Sequence, residues 1–187
     1  MLARCVSRVS VLVVLMVATG GIGVAQNNWI GPNGTVGNWS DPLNWSAGVP
    51  ISTDDVIIYS GGYDYVYLDP GSATINSLTL GGADNGTSWS FLTDNGIAQN
   101  LSINQGLTVG QTGFLYLTGG STVTANWDSL NAGGIYISNG SSLTVSGKLK
   151  NEIGAELVPS KARAIPQTSV AAWTTTGTSS PTAEATP

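Results

Sequence analysis

Carboxylates, hydroxyls and aromatic rings are the side chains with which this 187-residue chain could do chemistry. It has no histidine, its one cysteine is Cys5, and none of its six Lys and Arg falls between Gln26 and Gly147, an interval that holds eight Asp. That inventory excludes Ser/His/Asp and Cys/His catalysis, imidazole or thiolate zinc sites and an internal disulfide. Paired carboxylates could hydrolyse a glycosidic bond, and a base with a nearby cation could cleave a uronate. Asp54 and Asp55 are neighbours, however, and successive strand residues point to opposite faces, which argues against one shared site. Acidic residues also attract calcium, and Asp84 and Asp94 each open a DNG triplet. Neither triplet is followed by spaced acidic ligands, so both read as turns in which Asp bonds its own backbone and Gly takes the positive φ. No cofactor is expected; calcium is the one rival.

Aromatic rings offer a different chemistry, stacking on sugars. Trp29, Trp39 and Trp45 stand in NNWIGPNGTVGNWSDPLNWSAGVP, separated by turn residues and without helical spacing. They suit either a cap that packs through its indoles or an exposed glycan platform. Tyr63, Tyr65 and Tyr67 alternate with Asp64, Val66 and Leu68. If Val66 and Leu68 face inward, the tyrosines form an outward stripe, a second candidate glycan contact.

The elements that would position these residues come from a repeat. FLYLTGGSTVTAN at 114–126 aligns without a gap on GIYISNGSSLTVS at 134–146, twenty residues on. Each copy is an alternating strand, a glycine turn and a second alternating strand, the signature of a stacked coil with one repeat per rung. The expected fold is all-β, a right-handed parallel β-helix (β-solenoid) of about 20-residue rungs with a Trp-rich N-terminal cap. Residues 1–25 read as a signal peptide: Arg4 and Arg8 precede an apolar run, and Gly23-Val24-Ala25 forms a small-x-small cleavage site. Residues 26–53 form the cap and 54–158 the rungs, whose apolar pairs continue through Leu101/Ile103, Leu107/Val109, Leu115/Leu117 and Leu143/Val145. Residues 83–100 read as a longer excursion carrying Trp89 and Phe91. Residues 159–187 read as a disordered tail ending in Thr/Ser/Pro-rich low complexity.

NWSDPLNWSAGVPISTDDVIIYSGG, followed by YVYLDPGSATINSLTLGG, resembles the start of the passenger regions of bacterial autotransporter-like and hemagglutinin-like surface proteins. The resemblance is close over about residues 27–110 and extends beyond them only in repeat style. It implies a right-handed parallel β-solenoid, an exported location and an adhesive or structural role, and it carries over no catalytic residue.

An acidic surface repels phosphate backbones and anionic lipids, so neither nucleic acid nor a membrane surface is an expected partner. No membrane span is expected in the mature chain. The reading is a non-catalytic secreted or cell-surface protein whose partner is a surface glycan or another extracellular polymer. The alternatives are a glycan-binding module using the exposed Trp and Tyr residues, and a polysaccharide-active β-helix enzyme.

Overall fold

Alternation decides what faces inward. Val56 and Ile58, Val66 and Leu68, and Leu78 and Leu80 are each separated by one residue, Ile57, Tyr67 and Thr79 in turn, and all six are buried while the residues between them are not. A computed structural model describes residues 24–83 and 86–159. The predicted leader falls almost wholly outside them, as do residues 160–187 of the predicted tail and the first DNG triplet's Asp84.

The strands run in chain order β1 (Ala25–Asn28), β2 (Val36–Asn38), β3 (Asp54–Ile58), β4 (Tyr63–Tyr67), β5 (Ser72–Ile75) and β6 (Ser77–Leu80). There follow β7 (Trp89–Thr93), β8 (Asn100–Ile103), β9 (Leu107–Val109), β10 (Gly113–Leu117) and β11 (Thr122–Ala125). The last are β12 (Ser129–Asn131), β13 (Gly134–Ile137), β14 (Ser142–Val145), β15 (Leu149–Asn151) and β16 (Glu156–Pro159). They stack as three parallel sheets, in the orders β1-β3-β6-β9-β12-β15, β2-β4-β7-β10-β13-β16 and β5-β8-β11-β14. The chain is a β-solenoid of about 5 turns with about 22 residues per rung.

The internal repeat maps onto the pairing register. Leu115 lies opposite Ile135 and Leu117 opposite Ile137 across β10 and β13, and Val123 lies opposite Leu143 across β11 and β14. Identical spacing therefore places like side chains one above another. Inward columns such as Leu101–Val123–Leu143 form a continuous apolar core, worth about 1.5–3 kcal/mol per fully buried large side chain before ordering costs. Leu143, Val145 and Leu157, on the last described turn, are only partly buried.

Strands β5 and β6 are parted only by Asn76, whose side chain turns to Asp55 Oδ1 at 2.7 Å. One segment differs from the sequence reading. Residues 89–93, expected inside an excursion, form β7, because WSFLT alternates and slots between β4 and β10. Adjacent rungs meet tightly at the corners. A Cβ on Gly133 would lie 2.3 Å from the carbonyl oxygens of both Gly110 and Gly113, so the corner admits only glycine. The same crowding at Gly81 and Gly110 explains the small-residue groove along this corner.

Candidate functional site

The Trp-rich segment folds back on itself. It supplies β1 and β2, each the first strand of its sheet, and a short 3₁₀ turn over Pro42–Asn44. Asp41 caps that turn by accepting from the Leu43 N–H at 2.9 Å. Between these pieces the indole of Trp45 meets Trp29 edge-on, with centroids 5.1 Å apart, and Trp39 with centroids 4.9 Å apart. Trp45 Nε1 donates to the Trp39 carbonyl at 2.8 Å. Gly31 and Gly37 make room for Trp29, whose ring carbons would lie 2.4 and 2.7 Å from a Cβ at those positions. The three tryptophans are 2%, 0% and 3% exposed in the order Trp29, Trp39, Trp45. The expectation that they offer a glycan platform is corrected here: their ring faces are buried against one another and the core, so no sugar reaches them. Indoles carry the most apolar area per residue and are best satisfied at a coil end where core would otherwise be bare.

The tyrosine stripe is outward, as the alternation predicts. Asp64 and Val66 are buried, while Tyr65 and Tyr67 are half-buried and Tyr63 is 46% exposed. The register then extends the stripe across three further strands. Tyr65 lies opposite Phe91, and Phe91 opposite Phe114; one column over, Tyr67, Thr93, Tyr116 and Tyr136 align. Tyr65 and Phe91 stack 4.6 Å apart at 7°, Phe91 and Phe114 5.1 Å apart at 17°, and Trp89 tilts against Phe114 at 5.3 Å. Eight of the fourteen aromatic residues thus share the outer face of one sheet.

That geometry limits what the face can do. The stacked ring planes face one another along the coil axis, so mainly their edges point outward. Sugar stacking needs a free ring face. Tyr65 is committed to the ladder, and of the three predicted tyrosines only Tyr63 and Tyr67 have no ring stacked on them among the described residues. The sequence reading missed Trp89, Phe91, Phe114, Tyr116 and Tyr136. The twenty-residue repeat already places Tyr116 over Tyr136, a signal that could have found the second column.

At the far end of this face Tyr136 donates from its hydroxyl to the Glu156 carboxylate. That hydrogen bond, helped by desolvation and the same negative charge, pushes the Tyr136 pKa up to about 12. Desolvation raises Tyr116 as well.

The carboxylates are held by the coil. Asp54 Oδ2 accepts from Asn27 Nδ2 at 3.0 Å and from the Ile51 N–H at 3.1 Å. Asp55, on the opposite face of β3 as predicted, accepts from Asn76 Nδ2 at 2.7 Å and Ser77 Oγ at 2.6 Å. Asp64 accepts from the Ser60 N–H and hydroxyl and from Ser90 Oγ, and Asp69 from the Ser40 N–H and hydroxyl. Asp94 accepts from the N–H groups of Gly96, Thr118 and Gly119, at 2.8–3.1 Å, and from Thr118 Oγ1. Burial opposes charge on Asp94, but hydrogen bonds from Ser121, Thr118, Gly119 and Gly96 outweigh it and lower its pKa from 3.8. Its triplet is the expected turn, with Asn95 at φ 49° and Gly96 at φ 74°. Among the described residues no three His, Cys, Asp or Glu side chains converge as metal ligands would, and no helix is long and apolar enough to cross a membrane.

Compared with known protein families, with characterised proteins and with solved structures, the chain finds no match.

Proposed function

We propose that this chain is a non-catalytic secreted or cell-surface β-solenoid with an adhesive or structural role, as its likeness to autotransporter-like and hemagglutinin-like passenger regions implies. One observation carries the reading. All seven described aspartates, Asp41, Asp54, Asp55, Asp64, Asp69, Asp94 and Asp128, accept hydrogen bonds from the chain itself, and most of those bonds tie one rung to the next. A general acid or base must reach a proton on a substrate. Here the groups best suited to that work hold the coil together, leaving its broad outer faces as the surface through which it acts. A glycan-binding module is the second reading, resting on Tyr63 and Tyr67, the predicted contacts that remain outward and unstacked.

The test is adhesion. Displayed on a non-adherent bacterial cell, the chain is expected to retain cells on at least one coating drawn from polysaccharides, glycoproteins and matrix proteins, above the empty display scaffold. Equal retention on every coating overturns the adhesive reading. Release of reducing ends or unsaturated sugars from a coating overturns the non-catalytic one.

A further inference from the structure

We propose that the outer face of the sheet β5-β8-β11-β14 binds the ordered surface of a neutral, β-linked polysaccharide. This rests on the adhesive reading and says which face acts and on what.

Strict register builds two straight rows on this face. Ser72, Asn100, Thr122 and Ser142 form one, and Thr74, Ser102, Thr124 and Thr144 the other. Neighbours in a row are about 4.8 Å apart, and the rows lie about 6.5–7 Å apart, two residues along each strand. Behind them the inward columns Ala73–Leu101–Val123–Leu143 and Ile75–Ile103–Ala125–Val145 anchor the sheet in the core. The eight outward side chains are exposed or half-buried, and seven are hydroxylated.

What distinguishes these hydroxyls is that the coil does not use them. Ser60, Ser77, Ser90, Ser121 and Ser129 bond to neighbouring turns or rungs. Among the described residues, no hydrogen bond within the chain engages the eight side chains of this face. The four strands, SATI, NLSI, TVTA and SLTV, contain no charged and no aromatic residue.

The chemistry of the partner follows. Without charge, the face has no attraction for phosphate, sulfate or basic groups. Without an outward apolar or aromatic patch, it gains little from lipid or from an apolar protein surface. It can exchange hydrogen bonds, hydroxyl for hydroxyl. Each exchange with water is worth only about two- to tenfold in an equilibrium constant, so one sugar cannot offset the freedom lost on binding. A rigid array meeting a second rigid array makes many exchanges for one such loss. Extended β-linked chains packed in a fibre present hydroxyl edges in regular rows; helical α-linked chains do not.

The test is co-sedimentation of the full-length chain with microcrystalline cellulose. The chain is expected in the pellet, and excess soluble cello-oligosaccharide is expected not to release it. The fourfold variant T74V/T122V/T124V/T144V replaces hydroxyls with methyls at nearly constant shape and favourable strand propensity. It is expected to bind at least about tenfold more weakly, while Leu43→Ala, in the exposed 3₁₀ turn and outside both rows, binds like the parent. If the fourfold variant does not fold, Ser102→Lys, a charge in the middle of a row, is expected to show the same loss. The proposal is overturned if the parent stays in the supernatant, if these variants sediment like it, if oligosaccharide releases it, or if it partitions into growing ice and not onto cellulose. A parent that ignores cellulose while displaying cells still adhere elsewhere removes this inference and leaves the adhesive reading standing.

Discussion

Tyr116 and Tyr136 lie directly opposite each other across β10 and β13, with ring centroids 4.6 Å apart and planes 6° from parallel. A one-rung step thus brings two rings to stacking distance, and the aromatic face acts as a ladder that holds successive rungs in register. Phe114 sits at its centre, touching Trp89, Phe91, Tyr116 and Tyr136. Phe114→Ala is expected to cost about 2–3 kcal/mol in urea denaturation. Tyr63→Ala, at the exposed margin, is expected to stay within about 0.5 kcal/mol of the parent.

Tyr136 gives a pH signature. Its folded pKa is raised from 10.0 to about 12, chiefly by the hydrogen bond to Glu156. A raised value means that the contribution to stability is complete below the ordinary pKa and is lost as pH rises through about 12. Ultraviolet titration of tyrosinate is expected to show a group ionising at about 12, and Glu156→Gln is expected to move it down.

Asp94 works at the other end of the scale. Its pKa is lowered because four hydrogen-bonding neighbours outweigh the cost of burial. The stability it supplies is present above its ordinary value and is lost as pH falls through the folded value. Between pH 5 and about 2, Asp94→Asn is expected to lose stability less steeply than the parent in acid-denaturation curves.

The tryptophan cluster contains an asymmetry. Trp45 Nε1 has a partner, the Trp39 carbonyl, whereas the buried Nε1 atoms of Trp29 and Trp39 have none. Trp45→Phe loses a made hydrogen bond, while Trp39→Phe removes a buried donor that was never satisfied. Urea denaturation is expected to rank Trp45→Phe as the more damaging of the two, by about 1 kcal/mol.

How far this could be read in advance follows from these residues. The gapless match of 114–126 on 134–146 revealed the rung, because pairing in register forces like residues into columns. Alternation at Tyr63–Leu68 revealed which side of β4 faces out. It did not reveal that Tyr65 stacks on Phe91, because the two are separated by a longer, irregular connection that hides their common column. The fate of Trp29, Trp39 and Trp45 was equally hidden: spacing through turn residues fits a buried cluster and an exposed platform alike. The glycines at 31 and 37 that admit the Trp29 indole show their purpose only once the chain has folded back.

Thermal denaturation of Asp54→Asn, Asp64→Asn and Asp94→Asn beside the parent decides whether these carboxylates serve the coil, as proposed, or a reaction. Each change replaces an acceptor with a group that is half donor, leaving buried N–H or O–H groups of a neighbouring rung or turn without a full partner. Each midpoint is expected to fall by about 4 °C or more, corresponding to roughly 1 kcal/mol or above. Midpoints equal to or above the parent's would rule out the proposed structural role, since residues kept for chemistry are typically held at a cost in stability that their replacement relieves.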